Sequence, residues 1–161
     1  MSGPRSEQGE SLLEVLIAVA IMGIAVVAIM AGLTTSILMS DIHRKQATAG
    51  EYARDYAEAI QSALTSSSCT SPTPAAGCYR LCAAGSWYEN PSGFSVPAGY
   101  GKSVVAGTSR YWNGTAWQSA CSTDAGLQQL TVQVASADGR ASERVVVVLR
   151  RPCRMEDSLC G

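Results

Sequence analysis

The most constraining feature of this sequence is a long interval without charge near its N-terminus. Between Glu14 and Asp41 there is no Asp, Glu, Lys or Arg, which leaves residues 15–40 as 26 consecutive uncharged positions. As an α-helix this interval would be roughly 39 Å long, which exceeds the roughly 30 Å hydrocarbon core of a bilayer. The interval therefore predicts a membrane-spanning helix.

The remainder of the chain has the composition of one small polar domain. The 161 residues are enough for one hydrophobic core but not for two. The 12 basic and 13 acidic residues give a net charge of -1, and this balance provides no electrostatic basis for a nucleic-acid groove. We expect one folded domain beside the membrane segment and no specific nucleic-acid partner.

All cysteines of the chain follow the uncharged interval. An even number of cysteines on one side of a membrane segment is typical of disulfides in an oxidising compartment. A zinc site is disfavoured, because Cys78 and Cys82 form a single close pair and the one histidine, His43, is distant in sequence. We predict no metal site and a head stapled by disulfides among Cys69, Cys78, Cys82, Cys121, Cys153 and Cys160.

The helical pattern continues beyond the uncharged interval. No proline occurs between Pro4 and Pro72, so one helix can run over residues 10–64 without interruption. Its second half has an apolar stripe with a spacing of four residues, which is typical of an amphipathic helix. The stripe consists of Tyr52, Tyr56, Ile60 and Leu64.

Two longer strands are predicted near the C-terminus. Apolar and polar residues alternate over 127–135, residues 142–150 form a second strand, and Asp138-Gly139 is typical of the turn between them. Residues 145–149 are apolar on both faces, so we expect them to lie in the centre of the sheet.

Shorter elements are predicted between the helix and these strands. Residues 66–77 are Ser- and Pro-rich and form a loop, residues 79–83 are a candidate strand, and residues 90–101 form a Gly/Pro loop. Asn113-Gly114 between two aromatic segments predicts a hairpin with positive φ at both turn positions. The resulting fold class is α+β, with a long N-terminal helix packed on a small antiparallel sheet.

The residues at the N-terminus form a recognisable pattern. Gly9 ends a short polar leader, Glu14 is the fifth residue after it, and a long apolar segment follows. Over residues 9–39 this pattern resembles type IV pilins and the pseudopilins of type II secretion and DNA uptake. The resemblance implies cleavage after Gly9 by a prepilin peptidase and methylation of the new amino terminus at Glu10.

The resemblance also implies how the chain is organised. Residues 1–9 would be the leader, residues 10–40 the membrane and filament-core helix, residues 41–65 its amphipathic continuation, and residues 66–161 a loop and β head. Many heads of the family close a C-terminal loop with a disulfide, which implies a pair between Cys153 and Cys160. The other pairings stay open, and two of them, Cys69 with Cys78 and Cys82 with Cys121, would tie the helix-to-sheet loop to the hairpin.

Two positions depart from the family pattern. Glu10 stands where the family more often has Phe or Met, and Ala31 stands where many major pilins carry a proline. Gly23 and Gly32 still interrupt the helix, each at a cost of about 1 kcal/mol relative to Ala. In a membrane, such small residues also allow helices to pack closely.

Glu14 is the candidate assembly residue. An ionisable group inside a hydrocarbon-length helix is costly and marks a functional site. Its carboxylate can pair with the amino terminus of a neighbouring subunit, which relieves both charges and sets the assembly register. The alternative is that Glu14 lies at the bilayer interface with its carboxylate in headgroup water.

Two signals conflict on the orientation in the membrane. The positive-inside rule places Arg44-Lys45 in the cytoplasm, whereas the downstream cysteines place the head outside it. We adopt the second orientation, with a single-pass protein in the cell membrane and an extracellular filament after assembly. The implied partners are the membrane, a prepilin peptidase, other pilin subunits, and an assembly platform with its ATPase.

The leading hypothesis is therefore a structural pilin-like subunit without enzyme activity or cofactor. With its one histidine at the end of the membrane segment, a Ser-His-Asp site in the head is excluded. A second hypothesis is an uncleaved single-pass surface protein that binds a ligand or cell-wall polymer, and a third is a membrane-tethered enzyme. The second would use stacking aromatics, although a core role is favoured for Trp87, Trp112, Trp117, Tyr79, Tyr88, Tyr100 and Tyr111.

Overall fold

The first element is a helix of 57 residues, α1, from Gln8 to Leu64. The computed structural model describes residues 8–66, 69 and 77–152. The chain divides into two units, residues 1–43 and residues 44–161, and α1 contributes to both. The prediction of one long N-terminal helix is confirmed.

The second unit contains a five-stranded antiparallel sheet. The central strand, β4, pairs with β5 on one side and with β1 and β2 on the other, and β3 extends the sheet from β2. A short 3-10 helix, Gly85–Tyr88, precedes the sheet. The α+β prediction is confirmed. The strands are β1 Tyr100–Val104, β2 Arg110–Trp112, β3 Trp117–Gln118, β4 Leu127–Ser136 and β5 Ser142–Arg150.

Strict alternation in β4 determines which face of the sheet is buried. Every second residue of β4 is buried and those between are half-buried, because successive side chains of a strand point to opposite faces. The buried set includes Leu130, Val132 and Val134, and the register places Val132 opposite Val145 of β5 and Val104 of β1. Both neighbouring strands therefore extend the same apolar face.

The second half of α1 supplies the other side of this core. Tyr56, Ile60 and Leu64 of the predicted stripe are buried, and Tyr52 is partly buried against them. Three alanines, Ala49, Ala53 and Ala57, are buried in the same cluster. The small side chains of these alanines let the helix backbone approach its neighbours closely, while the larger residues of the stripe fill the core.

Tyr56 connects α1 to the loop that precedes β1. Its hydroxyl donates a 2.6 Å hydrogen bond to the carbonyl of Glu89 and its ring stacks on Phe94 at 5.2 Å. Lys102 Nζ lies 5.1 Å from the centre of the Tyr56 ring and donates to the Glu89 carbonyl and to Asn90 Oδ1. Burial raises the pKa of Tyr56 above its ordinary value, so the hydroxyl remains a donor throughout the neutral range.

Three predictions about the strands are wrong. Residues 79–83 form no strand, because Cys82 has a φ of 56° and its amide donates to Asp124 instead of to a neighbouring strand. Residues 145–149 are not central, because β5 pairs with β4 alone among the described residues and exposes Val146 and Val148. The sequence predicts a loop over the whole interval 90–101, yet its last two residues begin β1.

The aromatic hairpin forms, but with a different turn. Gly114 has a φ of 104° and Asn113 does not have a positive φ. Instead, Asn113 Oδ1 accepts hydrogen bonds from the amides of Thr115 and Ala116, and the Asn113 amide donates to the Ala116 carbonyl. Side-chain capping by Asn113 replaces the second left-handed residue.

The predicted turn between β4 and β5 is present and carries an ion pair. Gly139 has a φ of 70°, and Asp138 accepts hydrogen bonds from Ser136 Oγ and the Arg140 amide. Lys45 Nζ of α1 donates to Asp138 Oδ2 at 2.6 Å. This hydrogen bond from Lys45, followed by that from Ser136, holds the pKa of Asp138 below its ordinary value.

A lowered pKa makes this contact sensitive to acid. A carboxylate with a depressed folded-state pKa stabilises the fold above its unfolded pKa of about 3.9 and loses that contribution as the pH falls through the folded value. Asp138→Asn should therefore melt below the parent chain near neutral pH, and the gap should close in acid below about pH 4. Thermal melts of the full-length protein in detergent across this range test it, with exposed Asp55→Asn as the control. A gap that persists unchanged in strong acid would contradict the assignment.

Candidate functional site

The first unit presents an apolar helix surface. Every described side chain from Leu12 to Asp41 is exposed, and these include a long series of Leu, Ile, Val and Met between Leu12 and Met39. Each such side chain gains about 1.5–3 kcal/mol when it leaves water. By length and composition, α1 can cross a membrane, and this surface requires lipid or other apolar helices around it.

Two polar side chains of this segment, those of Thr34 and Thr35, form hydrogen bonds inside the helix. Thr34 Oγ1 donates to the Met30 carbonyl at 2.9 Å, and Thr35 Oγ1 donates to the Ala31 carbonyl at 3.0 Å. A hydroxyl that bonds its own helix needs no water, so it can enter hydrocarbon or a helix bundle at low cost. The two threonines therefore do not interrupt the apolar surface.

The helix glycines have open surroundings within the chain. A Cβ added at Gly23 or Gly32 would meet no atom within 4 Å, so no contact inside the molecule requires glycine there. Since glycine costs about 1 kcal/mol relative to alanine in an exposed helix, any compensating contact must come from other molecules.

Glu14 is the one ionisable residue in the segment 12–40. It lies in the first turns of α1 with its side chain exposed, and the residues one turn further along, Ile17 and Ala18, are apolar. Gly9 and Glu10 lie in the first turn of the same helix. Four residues along an α-helix correspond to about 6 Å, which separates Glu10 from Glu14 along the axis.

The cysteines form two disulfides among the described residues. Cys69 pairs with Cys78 and Cys82 pairs with Cys121, with Cα–Cα distances of 5.3 and 5.5 Å. The head is therefore disulfide-stapled, and these are the two pairings that the sequence left open. The predicted pair of Cys153 and Cys160 lies outside the described residues.

Most aromatic side chains of the head belong to the core. Tyr88 and Tyr111 are buried, and Tyr79, Trp87 and Tyr100 pack against the buried cluster. Their polar atoms are engaged: the Tyr111 hydroxyl donates to the Ala83 carbonyl, and Trp87 Nε1 donates to the Cys78 carbonyl. The core interpretation therefore accounts for all five.

Trp112 and Trp117 differ from these aromatics. They face each other edge-to-face across the β2–β3 hairpin with ring centres 5.5 Å apart, and Trp117 is 37% exposed. Such edge-to-face pairs contribute about 0.5–1.5 kcal/mol beyond the area they bury. This pair stabilises a hairpin that has only two register pairs between its strands.

A polar cluster surrounds Asp124, and the sequence pattern does not predict it. This carboxylate accepts hydrogen bonds from the Tyr79 hydroxyl and from Gln128 Nε2, at 2.8 and 2.6 Å, and from the amides of Cys82 and Gly126. Gln128 is 2% exposed, and its other contacts are the Tyr88 hydroxyl and the Arg80 carbonyl. The only sequence signal for this cluster is a glutamine at an inward-facing position of β4.

Burial, with a smaller contribution from Asp124, raises the pKa of the tyrosines in this cluster. Burial, then the hydrogen bond to Asp124, raises the pKa of Tyr79, and burial raises the pKa of Tyr88 to about 12. Both hydroxyls therefore remain donors at physiological pH. Together with the Cys82–Cys121 disulfide, the cluster holds an irregular segment against β4.

Asp124→Asn tests the importance of this cluster. The amide nitrogen of the new side chain would face donors, so at least one hydrogen bond is lost at a half-buried position. We expect a loss of about 1–3 kcal/mol in the free energy of unfolding, measured by denaturant titration of the full-length protein in detergent. The same substitution at exposed Asp55 should change stability by less than about 0.5 kcal/mol, and equal effects at the two sites would refute a structural role for Asp124.

One comparison with known proteins identifies the N-terminal segment. Residues 4–30 match the family model of the prokaryotic N-terminal methylation motif, the signature of type IV pilins and pseudopilins. The resemblance stated for the N-terminus is thereby confirmed for that segment. No curated protein and no solved structure matches the chain, so the head is described by its own geometry.

Proposed function

We propose that this chain is a structural subunit of a type IV pilus or a related pseudopilus. The prepilin is cleaved after Gly9 by a prepilin peptidase, and the mature subunit polymerises through the first half of α1. The observation that carries this proposal is the methylation motif at residues 4–30, which opens a helix whose apolar side chains are all exposed from Leu12 to Met39.

The exposed apolar surface suits a subunit that moves between two apolar environments. Lipid covers the segment before assembly, and the helices of other subunits cover it in the filament. The transfer exchanges one apolar contact for another, so packing and the fate of the few polar groups decide its direction. Thr34 and Thr35 already bond within the helix and present no opposing cost.

Glu14 is the group whose environment changes most on this transfer. A neighbouring subunit displaced by about 6 Å along the axis would bring its ammonium terminus level with this carboxylate. At 4 Å, opposite charges attract by about 4 kcal/mol at an effective dielectric constant of 20, and this attraction offsets the loss of hydration. Subunits in other registers would bury both charges unpaired, so the pair selects the register.

The remaining organisation follows from this assignment. Residues 1–9 are the leader, residues 10–40 the membrane and filament-core segment, residues 41–65 the amphipathic continuation, and residues 66–161 the loop and head. The head lies outside the cytoplasm, where its disulfides form. The partners are other pilin subunits, the prepilin peptidase, and an assembly platform with its ATPase.

The ligand-binding alternative has less support. It requires an exposed array of aromatics, but five of the seven candidate rings are buried or packed against the core. The Trp112–Trp117 pair is the feature that would suit such a role. The pilin family is structural, and we propose that this chain likewise has no enzyme activity and no cofactor.

Processing is tested by the intact mass and N-terminal peptides of the protein extracted from membranes of its own cells. We expect a mature start at Glu10 with one added methyl group. In cells that lack the prepilin peptidase, the same analysis should find the leader attached. A leader that remains attached while the peptidase is active would refute the proposed function.

Glu14→Gln tests the register. The amide cannot neutralise an ammonium terminus, so we expect normal amounts of protein in the membrane but a loss of at least about tenfold in the sheared filament fraction. Tenfold corresponds to about 1.4 kcal/mol, or about a third of the attraction between the two charges. Glu51→Gln, on the exposed side of α1 beyond the apolar segment, is the matched control and should assemble normally. Normal assembly of Glu14→Gln would contradict the register role.

A further inference from the structure

The sheet of the second unit has one face toward α1 and a second face toward solvent. In β5, Val147 and Leu149 are buried with the helix residues of the core, whereas Val146 and Val148 are exposed. Residues opposite each other on neighbouring strands share a face, so the register extends the solvent-facing side from β5 to β4, β1 and β2. We call this side the outer face. It consists of residues 101 and 103 of β1, 110 and 112 of β2, 127, 129, 131, 133 and 135 of β4, and 142, 144, 146, 148 and 150 of β5.

Every charged side chain of the outer face is positive. Arg110, Arg144 and Arg150 are exposed, and no Asp or Glu occupies an outer-face position. Nearby carboxylates are engaged elsewhere, since Asp138 is held by an ion pair at the β4–β5 turn and Asp124 lies in its own cluster. The outer face is therefore locally cationic, although the whole chain has a net charge of -1.

The three guanidinium groups are available to a ligand. None of them forms an ion pair with a carboxylate in the part of the chain that the structure describes. Arg144 Nε donates a 3.0 Å hydrogen bond to Gln133 Oε1, which orients this side chain across the sheet. A guanidinium presents five N–H donors in a fixed fork that matches an anionic oxygen pair, so each arginine can bind one anionic group.

The register fixes the spacing of the three cations. Arg144 and Arg150 are six residues apart on β5, which separates their backbones by about 20 Å. Arg110 lies opposite Gln129, which in turn lies opposite Val148, so its backbone is about 12 Å from that of Arg150. A small anion bound by one arginine would leave the others unused. A ligand that engages all three must be an extended polymer.

The surface between the cations is uncharged. It contains the amide of Gln129, the hydroxyl of Thr131 and the apolar side chains of Val146 and Val148. Trp117 lies beyond Arg110 on the β2–β3 hairpin and is 37% exposed. Amides and hydroxyls can exchange hydrogen bonds with the hydroxyls of sugars, and the valines and the indole can cover the C–H groups of sugar rings.

The separation of the cations also distinguishes between classes of polyanion. A nucleic-acid strand has one charge per nucleotide, only about 3.4 Å apart along each strand of a duplex, so most of its phosphates would lie over the uncharged centre. A polysaccharide in which neutral sugars separate the acidic ones places its carboxylates further apart. Its neutral sugars would then lie over the centre of the outer face.

We propose that the outer face binds an acidic polysaccharide whose carboxylates pair with Arg110, Arg144 and Arg150. The neutral sugars of this polymer contact the uncharged centre of the face. The inference rests on the second unit alone and does not depend on the proposed filament role.

Binding of labelled hyaluronate, which has a carboxylate on every second sugar, tests this proposal. Fluorescence anisotropy with the full-length protein in non-ionic detergent at low ionic strength measures the dissociation constant. Arg144→Gln combined with Arg150→Gln removes two charge-assisted contacts and should weaken binding at least about tenfold. The matched control combines Arg44→Gln with Arg54→Gln, which removes the same charge from exposed positions of α1 and should leave the dissociation constant unchanged.

Two further measurements keep the test specific. Arg110→Gln alone should weaken hyaluronate binding severalfold, and neutral dextran should not bind. An oligothymidylate of about 15 nucleotides, near the upper limit of single-strand sites, should bind more weakly than hyaluronate. No binding of hyaluronate, equal losses in the outer-face variant and the α1 control, or tighter binding of the oligothymidylate would each overturn the proposal.

Discussion

The absence of charge over 26 consecutive residues of one helix is the constraint from which the rest follows. An amphipathic helix in water buries one face, but residues 12–39 expose apolar side chains on every side. The rest of the described chain leaves this surface uncovered. The first unit therefore depends on an apolar environment supplied by lipid or by other chains.

The second unit has a polar exterior, and its part of α1 buries only one stripe. The first part of α1 is thus suited to an apolar environment and the second part to water. The change in its side-chain pattern near Asp41 marks the boundary between them.

The head meets a different constraint, since the described residues between α1 and β1 contain little regular structure. The backbone N–H and C=O groups of such a segment must find hydrogen-bond partners other than those of a neighbouring β-strand. The Asp124 cluster does this for residues near Cys82, and Tyr56 with Lys102 does it for the carbonyl of Glu89. Two disulfides restrict the same segment and lower the entropy of the unfolded chain. Covalent and polar attachments therefore add to the packing of Ala83, Tyr88 and Phe94 against the core.

The elements predicted correctly are those whose signal is local. The alternation in β4 and the four-residue stripe of α1 follow from the geometry of a strand and of a helix, so the sequence alone is enough to predict them.

The errors arise where residues distant in sequence determine the local backbone conformation. Residues 79–83 look like a strand until Asp124 and Cys121 fix the conformation at Cys82. The valines of β5 look central because a run of apolar residues is typical of a strand covered on both faces, whereas only its odd-numbered side chains meet the core. Asn113 departs from the expected turn because its own side chain provides an alternative acceptor.

The sequence identifies Glu14 as a candidate functional residue, but the contacts within a single folded chain do not explain its role. Its spacing from Gly9 identifies it, but no described residue of the first unit pairs with it, and the partner that we propose for its charge is the amino terminus of another subunit. If the chain is cleaved as proposed, its mature terminus carries an ammonium and an acid on one residue, Glu10. Glu14 of a neighbouring subunit would then compete with that acid for the same cation. A subunit with Phe or Met at this position would face no such competition, so the identity of the first mature residue would influence how the proposed charge pair forms.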